Sequence, residues 1–339
     1  METQQIKIAI VVLNWNGKSW LEKFLPTLIK YSNGANIFVA DNNSSDNSIT
    51  YVQKNFKQVN IIEHSTNGGY AKGYNDALKQ ISSKYFVLIN SDIEVTENWL
   101  SPIIDLMDSD INIAACQPKL LNYNIRDEFE YAGASGGFID FLCYPFCRGR
   151  IFQDIEKDNG QYDDITEVFW ATGACLFIRS DAYMKVGGLD EDFFAHQEEI
   201  DLCWRLKHNG YKIMSQPKSV VYHVGGATLD VGSPFKTYLN FRNNLFMLFK
   251  NLSFVDLLFV LPIRLFLDGV AAFTFVPNKR GFGHFISIIK AHIMFYYNLP
   301  NLIYKRNNIN KTKNLTGRMK FSIIYKNKIR RIKKFIELK

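Results

Sequence analysis

Disulfide chemistry is the first thing this sequence is short of. Its 339 residues hold five cysteines, Cys116, Cys143, Cys147, Cys175 and Cys203, an odd number without a Cys-x-x-Cys pair. That excludes a disulfide scaffold and points to a reducing compartment. Cys143 and Cys147 could share a helix face, but two thiols alone do not make a metal centre. Leader-like features are also absent. Residues 1–5 are polar with no basic segment, and the apolar run at 8–13 is shorter than a signal-peptide core, so it reads as a buried strand. The loop after that run, Asn14-Trp15-Asn16-Gly17-Lys18-Ser19, lacks the Gly-x-Gly-x-x-Gly of a dinucleotide-binding dehydrogenase, and the chain has no Walker Gly-x-x-x-x-Gly-Lys-Ser/Thr. With 47% apolar and 22% charged residues, a mostly disordered chain is excluded as well, and the length is enough to bury a sizeable core.

What the sequence has in excess is unevenly placed. Residues 305–339 carry thirteen Lys or Arg and one acidic residue, Glu337, a net of +12 that leaves −5 for the rest of a chain whose total is +7. An acidic body with a basic tail points to a polyanionic partner. The preceding residues, 235–303, are dense in large apolar side chains, which favours anionic lipid over nucleic acid. The best window for a spanning helix, 254–276, contains Asp256, Arg264, Asp268 and Pro262. At ~3 kcal/mol for a charge at the bilayer centre, three charges argue against a simple span. A segment lying in the interface fits better, held by apolar burial and basic attraction; the alternative is a helical subdomain packed on its own core.

The first ninety-odd residues alternate apolar runs at 7–13, 36–40, 59–63 and 85–89 with helical patterns. Leu21, Phe24, Leu25, Leu28 and Ile29 mark the first helix, with a kink or early end expected at Pro26. Asp46 can cap the second, which carries Ile49, Val52 and Phe56. A third runs from the Asn67-Gly68-Gly69 turn to about residue 81. Such alternation predicts right-handed crossovers and a parallel sheet covered on both faces. In such a sheet ligands bind beyond the carboxyl ends of the strands, where Asp41 and Asp92 fall. A carboxylate at the first place can accept hydrogen bonds from a base or ribose. One at the second can hold a divalent cation against a diphosphate. Each alone could equally be a cap. Gly68 and Gly69 permit close backbone approach to a ligand.

The stretches at 8–17 (IAIVVLNWNG), 39–48 (VADNNSSDNS), 67–75 (NGGYAKGYN), 88–95 (LINSDIEV), 172–194 (TGACLFIRSDAYMKVGGLDEDFF), 198–213 (EEIDLCWRLKHNGYKI) and 222–228 (YHVGGAT), in this order, resemble the inverting glycosyltransferases of family 2. The nearest likeness is to the rhamnosyltransferase-like branch of bacterial surface-polysaccharide enzymes. The resemblance implies a GT-A fold: a Rossmann-like, mostly parallel α/β sheet with flanking helices, over residues 1–230. Residues 1–95 would form the nucleotide half and 96–230 the acceptor half. Residues 231–304 would be an aromatic-rich, membrane-interfacial helical region and 305–339 a basic tail. It implies a nucleotide-sugar donor, held by Asn14, Asp41, Asn67, Gly68, Gly69, Asn75 and Ser91, with Trp170 and Gly173 lining the sugar site. Asp92 matches the metal-binding Asp that ends the family's Asp-x-Asp motif, for Mg²⁺ or Mn²⁺. Here the triplet is Asn90-Ser91-Asp92, without the first carboxylate. His223 falls where such enzymes often place a further metal or diphosphate ligand.

The family's usual Glu-Asp pair at the start of the late helix is Glu198-Glu199 here. Glu199 is therefore expected as the base that deprotonates an acceptor hydroxyl, with Glu198 in reserve, because a carboxylate of suitable pKa within reach suffices. Apart from the resemblance, a helix-start Glu pair reads as a macrodipole complement, and Asp201 with Arg205 as an i,i+4 pair. The implied reaction transfers a sugar from a dTDP- or UDP-sugar, with inversion, to a glycan acceptor, expected to be lipid-linked, on the cytoplasmic face of the cell membrane. The competing readings are a nucleotidylyltransferase-like enzyme, which would need a Gly-rich basic loop after the first strand, and a catalytically degenerate nucleotide-sugar-binding protein. A nucleic-acid binder is not expected, since the densest aromatics lie in apolar company.

Overall fold

The computed structural model describes residues 6–225, 232–277, 280–312 and 315–338. The expected boundary at 230, residues 226–228 of the last family-like stretch and the polar residues 1–5 lie outside them. The chain opens with β1 (Ile6–Asn14), α1 (Lys18–Tyr31), β2 (Asn36–Asp41), α2 (Ser48–Asn55), β3 (Asn60–Glu63), α3 (Gly69–Leu78) and β4 (Ser83–Asn90). These strands pair in parallel in the order β3-β2-β1-β4. Ala9 to Val12 of β1 are buried on both faces, as a strand in a doubly covered sheet must be. Helix α1 runs unbroken through Pro26. Pro26 sits on the exposed side, so its missing N–H faces solvent while Leu21, Phe24, Leu25 and Leu28 hold the buried side. Asp46 serves two helices: its carboxylate accepts the Lys18 N–H of α1 at 2.8 Å and the Ser48 N–H of α2 at 3.1 Å.

The second half adds β5 (Ile93–Val95), α4 (Ser101–Ser109), β6 (Ile113–Asn122) and four short strands: β7 (Gly137–Ile139), β8 (Pro145–Cys147), β9 (Arg150–Ile151) and β10 (Asp154–Ile155). Then come β11 (Thr166–Glu167), β12 (Cys175–Arg179), α5 (Ser180–Lys185), α6 (Glu198–His208) and β13 (Lys212–His223). β12 inserts antiparallel between β4 and β6, and β13 runs parallel to β6, which completes a nine-stranded mixed sheet. One face buries Ala71, Tyr74 and Leu78 of α3 with Ile200, Leu202 and Leu206 of α6. The other buries Leu21, Leu25 and Leu28 of α1 with Ile103, Ile104 and Met107 of α4. β7 to β10 form a separate small sheet. Cys143 and Cys147 lie in a turn and in β8, not on a helix, and all five cysteines are free and buried.

Four helices follow, α7 (Pro234–Asn251), α8 (Phe254–Phe275), α9 (Gly281–Tyr297) and α10 (Leu299–Asn307), with α7 packed against the other three and α6. Among the described residues α8 alone is long and apolar enough to cross a membrane. Two of its three charges are turned inward, while Asp256 near its start is half-exposed and pairs with Arg318 at 2.8 Å. Arg264 and Asp268 are 2% and 1% exposed and approach each other to 3.7 Å. The Arg264 guanidinium donates to Leu142 O at 2.8 Å and lies 3.6 Å from the centre of the Tyr144 ring. Asp268 also faces His292 of α9 at 3.5 Å. Phe259, Phe266 and Phe273 of the same helix are 66%, 71% and 70% exposed. The basic C-terminal segment folds back over the small sheet: Phe335 packs on Phe138 and Phe146, and Ile323 and Leu338 are buried.

Candidate functional site

The carboxyl ends of β1 and β2 carry a polar network in which only the buried Asn14 Oδ1 among the Asn14 and Asp41 side-chain atoms is left without a hydrogen bond. Asn14 Nδ2 donates to Asp41 Oδ1 at 2.8 Å and to Ser44 Oγ at 3.1 Å, and Asp41 Oδ2 accepts the Ser44 N–H at 2.8 Å. Asn14 and Asp41 are buried, so these bonds replace the water each would otherwise hold. The network forms one wall of a groove of about 360 Å³ lined by Asp41, Ser44, Ser45, Ser48, Glu63 and His64. Next to it, Asn67 Oδ1 accepts the Gly69 N–H at 2.9 Å and Asn42 Nδ2 donates to Gly69 O at 2.9 Å. Gly69 has φ +77°, and a Cβ there would come within 2.6 Å of Phe194 O. The glycine is required on both counts.

Asp92 follows β4 and is buried with His223 at the end of β13. His223 Nε2 stands 3.2 Å from Asp92 Oδ1 and its Nδ1 3.3 Å from Glu130 Oε1. The Gly225 N–H donates to Asp92 Oδ2 at 3.2 Å. Burial works against charge on the imidazole, but the Glu130 and Asp92 carboxylates outweigh it and push its pKa up to about 10. Burial would likewise raise Asp92, yet the hydrogen bond and charge of His223 hold it below the usual carboxylate value. Among the described residues no set of three or more His, Cys, Asp or Glu side chains gathers to hold a metal alone. At that pKa the imidazole is protonated and both its nitrogens donate to carboxylates, so Asp92 is the ready ligand for one Mg²⁺ or Mn²⁺, and His223 would join it only by giving up its Nε2 proton. Glu130 then stands where an outer carboxylate orients a ligating histidine.

Glu198 and Glu199 open α6, following a segment in which Phe194, His196 and Gln197 all have positive φ. Burial lifts Glu199 to about 7, and burial with the Glu199 charge lifts Glu198 well above the carboxylate range. Each has an Oε2 atom that is shielded and unpartnered. A Cβ built at Gly173 would lie 3.6 Å from Glu199 Cβ, and Gly173 O accepts the Tyr70 hydroxyl at 2.6 Å. The adjoining Ala174 O accepts the Asn90 N–H at 2.9 Å, which ties Gly173 to the turn that carries Asp92. Asp201 is spoken for by Arg205 at 2.8 Å and Lys250 at 2.9 Å; it is a buried structural carboxylate. A carboxyl poised near neutrality at the sheet end is suited to taking a proton from a hydroxyl.

The sheet therefore gathers Asn14, Asp41, Asn67, Gly68, Gly69, Ser91, Asp92, Gly173, Glu198, Glu199 and His223 around its carboxyl end. Two expected donor residues stand elsewhere. Asn75 donates to Leu189 O at 2.8 Å and accepts from the Tyr183 hydroxyl at 2.6 Å, holding the turn after α5. Trp170 is buried, with Nε1 donating to Phe138 O at 3.0 Å. Sequence reading missed Asn42 and Tyr70, although both lie inside family-like stretches. It also missed Glu130, which no motif flags: it sits in an irregular segment and reaches His223 only through the pairing of β13 with β6.

Comparison with known proteins bears on the fold and the family. The chain is 21% identical over 71% of its length to "Low-salt glycan biosynthesis hexosyltransferase Agl10" of Haloferax volcanii, covering 75% of that protein. It is 21% identical over 64% of its length to the "N-acetylglucosaminyl-diphospho-decaprenol L-rhamnosyltransferase" of Mycobacterium tuberculosis, again covering 75%. The "Rhamnosyltransferase WbbL" of Escherichia coli is 21% identical over the same share, with 83% covered. Among solved structures, the GT-A fold is shared with "GalNAc-T7 with UDP, GalNAc and Mn2+", at a TM-score of 0.57 and 15% identity over 74% of this chain and about half of that one, 49%. It is shared too with "Mannosyltransferase PcManGT from Pyrobaculum calidifontis in complex with GDP-Man and Mn2+", at 0.52 and 12% identity over 87% and 88% of the two chains. Residues 9–185, just over half of the chain, match "Glycosyl transferase family 2", and the protein belongs to that family of sugar-transferring enzymes.

Proposed function

We propose that this enzyme transfers a sugar, with inversion, from a dTDP- or UDP-sugar to a hydroxyl of a lipid-linked glycan in surface-polysaccharide assembly. The observation that carries the reading is Glu199: a shielded carboxyl lifted to about 7 beside Gly173, on the sheet end that also bears the Asp41 groove and Asp92. The groove at Asp41 accepts the base and ribose, and the Gly68–Gly69 turn lets the diphosphate approach the backbone. Asp92, joined by His223 once its Nε2 proton is released, would hold Mg²⁺ or Mn²⁺, which would supply Lewis-acid stabilisation to the departing diphosphate. Glu199 takes the proton of the acceptor hydroxyl as its oxygen attacks the anomeric carbon from the face opposite the leaving group. Glu198, more deeply buried and held neutral, keeps a second negative charge away from the attacking oxygen. The rhamnosyl and hexosyl transfer named for the relatives supports a hexose or deoxyhexose as the sugar, and decaprenol in one of those names supports a polyprenyl-linked acceptor.

The same reading places the enzyme on the inner face of the cell membrane as a peripheral protein. α8 turns Phe254, Leu258, Phe259, Phe266 and Phe273 outward with Arg264 and Asp268 buried behind them. Basic Lys320, Lys328, Arg330, Arg331, Lys333 and Lys334 are exposed on the C-terminal segment. Each basic residue near an anionic surface contributes ~1 kcal/mol, added to apolar burial of the helix face. The test of the chemical reading is thermal shift of the full chain with UDP, dTDP, GDP, CDP and NAD, with and without Mn²⁺. Saturation at about 100 times the dissociation constant adds ~2.7 kcal/mol of stability. A Mn²⁺-dependent rise with UDP or dTDP is expected; a rise with none of the diphosphates would defeat the reading.

A further inference from the structure

The segment that delivers Glu198 and Glu199 to the site is held only in part by its own turns, with the Phe193 N–H on Asp190 O at 3.1 Å and the Ala195 N–H on Phe193 O at 2.7 Å. Between Asp190 and α6 it passes through Phe194 at φ 62°, His196 at φ 70° and Gln197 at φ 73°, three left-handed residues in four, none of them glycine. Such a backbone persists only where its surroundings over-determine it. On one side the Phe194 carbonyl accepts the Tyr70 N–H at 2.7 Å and the Ala71 N–H at 3.3 Å, the free donors at the start of α3. The other side is held by α7, with Asn301 and Lys305 of α10 on the Asp192 carboxylate, each at 2.6 Å. Asn243 Nδ2 donates to the carbonyls of Phe193, Ala195 and His196 at 2.9, 2.8 and 2.8 Å. Arg242 Nη2 donates to those of Asp192 and Phe193 at 2.9 and 3.0 Å. Arg242 Nε in turn donates to Asn243 Oδ1 at 2.8 Å, which fixes the amide with its NH₂ group toward the carbonyls. Asn243 is fully buried and Arg242 half-buried. Their hydrogen bonds go to the strap, to each other and, from Arg242, to the Tyr238 hydroxyl at 3.3 Å.

We propose that Arg242 and Asn243 are positioning residues of the transfer reaction: they hold the 192–197 strap in the conformation that sets Glu199 against Gly173 and Phe194 against Gly69. The inference rests on Glu199 as the base and gives α7 a part in the chemistry. The strap has carbonyls aimed at α7 and at α3, so releasing the α7 side lets the start of α6 move while the Asp41 groove stays as it is. The chemical step then suffers and nucleotide binding does not. Displacement of a catalytic group by about 1 Å can cost on the order of 100-fold in rate.

The test compares the wild-type enzyme with Arg242→Ala, Asn243→Ala and Glu199→Gln, measuring kcat and KM for transfer, UDP and dTDP binding by calorimetry, and melting temperature. Arg242→Ala is expected to fold, because its side chain is half-buried, and to lose at least about 10-fold in kcat with nucleotide affinity held within about 2-fold. Methylguanidinium, added to fill the space left by the side chain, is expected to restore part of that kcat and to leave Asn243→Ala unrescued. Should Asn243→Ala fail to fold, Arg242→Ala and its rescue decide the matter. Wild-type kcat in folded Arg242→Ala would overturn the inference, as would a loss carried entirely by KM or by a lowered melting temperature with no rescue. If Glu199→Gln is inactive while Arg242→Ala is intact, the positioning role alone fails. If Glu199→Gln turns over normally, the base assignment fails, and the strap has no base to position.

Discussion

The carboxyl end of the sheet and the outer face of α8 break the same rule in opposite directions. At the sheet end Asn14, Asp41, Asp92, Glu198 and His223 are buried. Along α8, Phe259, Phe266 and Phe273 stand in solvent while Arg264 and Asp268 are hidden. Ordinary folding places these classes the other way round. A buried polar group is tolerated when its neighbours satisfy it, as Ser44 and Asn14 satisfy Asp41. An exposed apolar row has no such internal remedy and is stabilised only by a partner outside the chain. In the proposed function the first region receives a small polar ligand and the second a lipid surface, and α7 packs against both α6 and α8.

The largest effect that sharpens this contrast is at Glu199. Glu199→Gln should lose at least ~100-fold in kcat with UDP or dTDP affinity retained, whereas Glu198→Gln should lose much less, both read in a transfer assay; the reverse order would exchange their roles. Next is the buried histidine. Asp92→Asn should abolish the Mn²⁺ dependence of nucleotide binding, and Glu130→Gln should weaken Mn²⁺ affinity by about 10–100-fold in calorimetry; an unchanged Mn²⁺ titration in both would remove the cation from this pocket. On α8 two substitutions on opposite faces should separate. Phe266→Asp should abolish flotation with anionic vesicles and leave the melting temperature unchanged. Asp268→Ala, which strands Arg264, should cost on the order of 3 kcal/mol in denaturant unfolding. Vesicle binding by Phe266→Asp at the wild-type level would leave the exposed face without its proposed partner.

The smallest effect concerns pH. Glu199 binds its proton more tightly folded, at about 7, than at its ordinary 4.5. Its contribution to stability is therefore fully present below about pH 4.5 and is lost as pH rises through about 7. Glu199→Gln should accordingly melt higher than wild type at pH 8 and no higher at pH 4. Equal differences at both pH values would mean that burial does not perturb this carboxyl.

Much of this was legible in the sequence because its signals are local. The four parallel strands appear as apolar runs within a residue or two of β1 to β4, and the turns at their carboxyl ends place Asp41 and Asp92 without further knowledge. The early end expected at Pro26 does not occur, because the proline lies on the exposed side of an otherwise well-packed helix, which periodicity alone does not reveal. The antiparallel insertion of β12 between β4 and β6 is a long-range choice with no local signature. Glu130 and Asn243 were invisible for a related reason: each acts on a partner far along the chain, His223 and the 193–196 carbonyls respectively. Asn75 and Trp170 illustrate the converse. Both lie in or beside family-like stretches, and their side chains are engaged in packing. The basic segment read as a tail because its charges are exposed, while Ile323, Phe335 and Leu338 between them fill the space over the small sheet. Point substitutions on α8 therefore test membrane docking more cleanly than removal of residues 305–339.

The central claim is that a single carboxyl near neutrality drives the transfer, and the pH dependence of kcat tests it most directly. With saturating donor, acceptor and Mn²⁺, wild-type kcat should rise with pH to a plateau, with a midpoint near 7, while the residual activity of Glu199→Gln follows no such rise. A wild-type kcat flat from pH 5 to 9, or the same midpoint surviving in Glu199→Gln, would contradict the account.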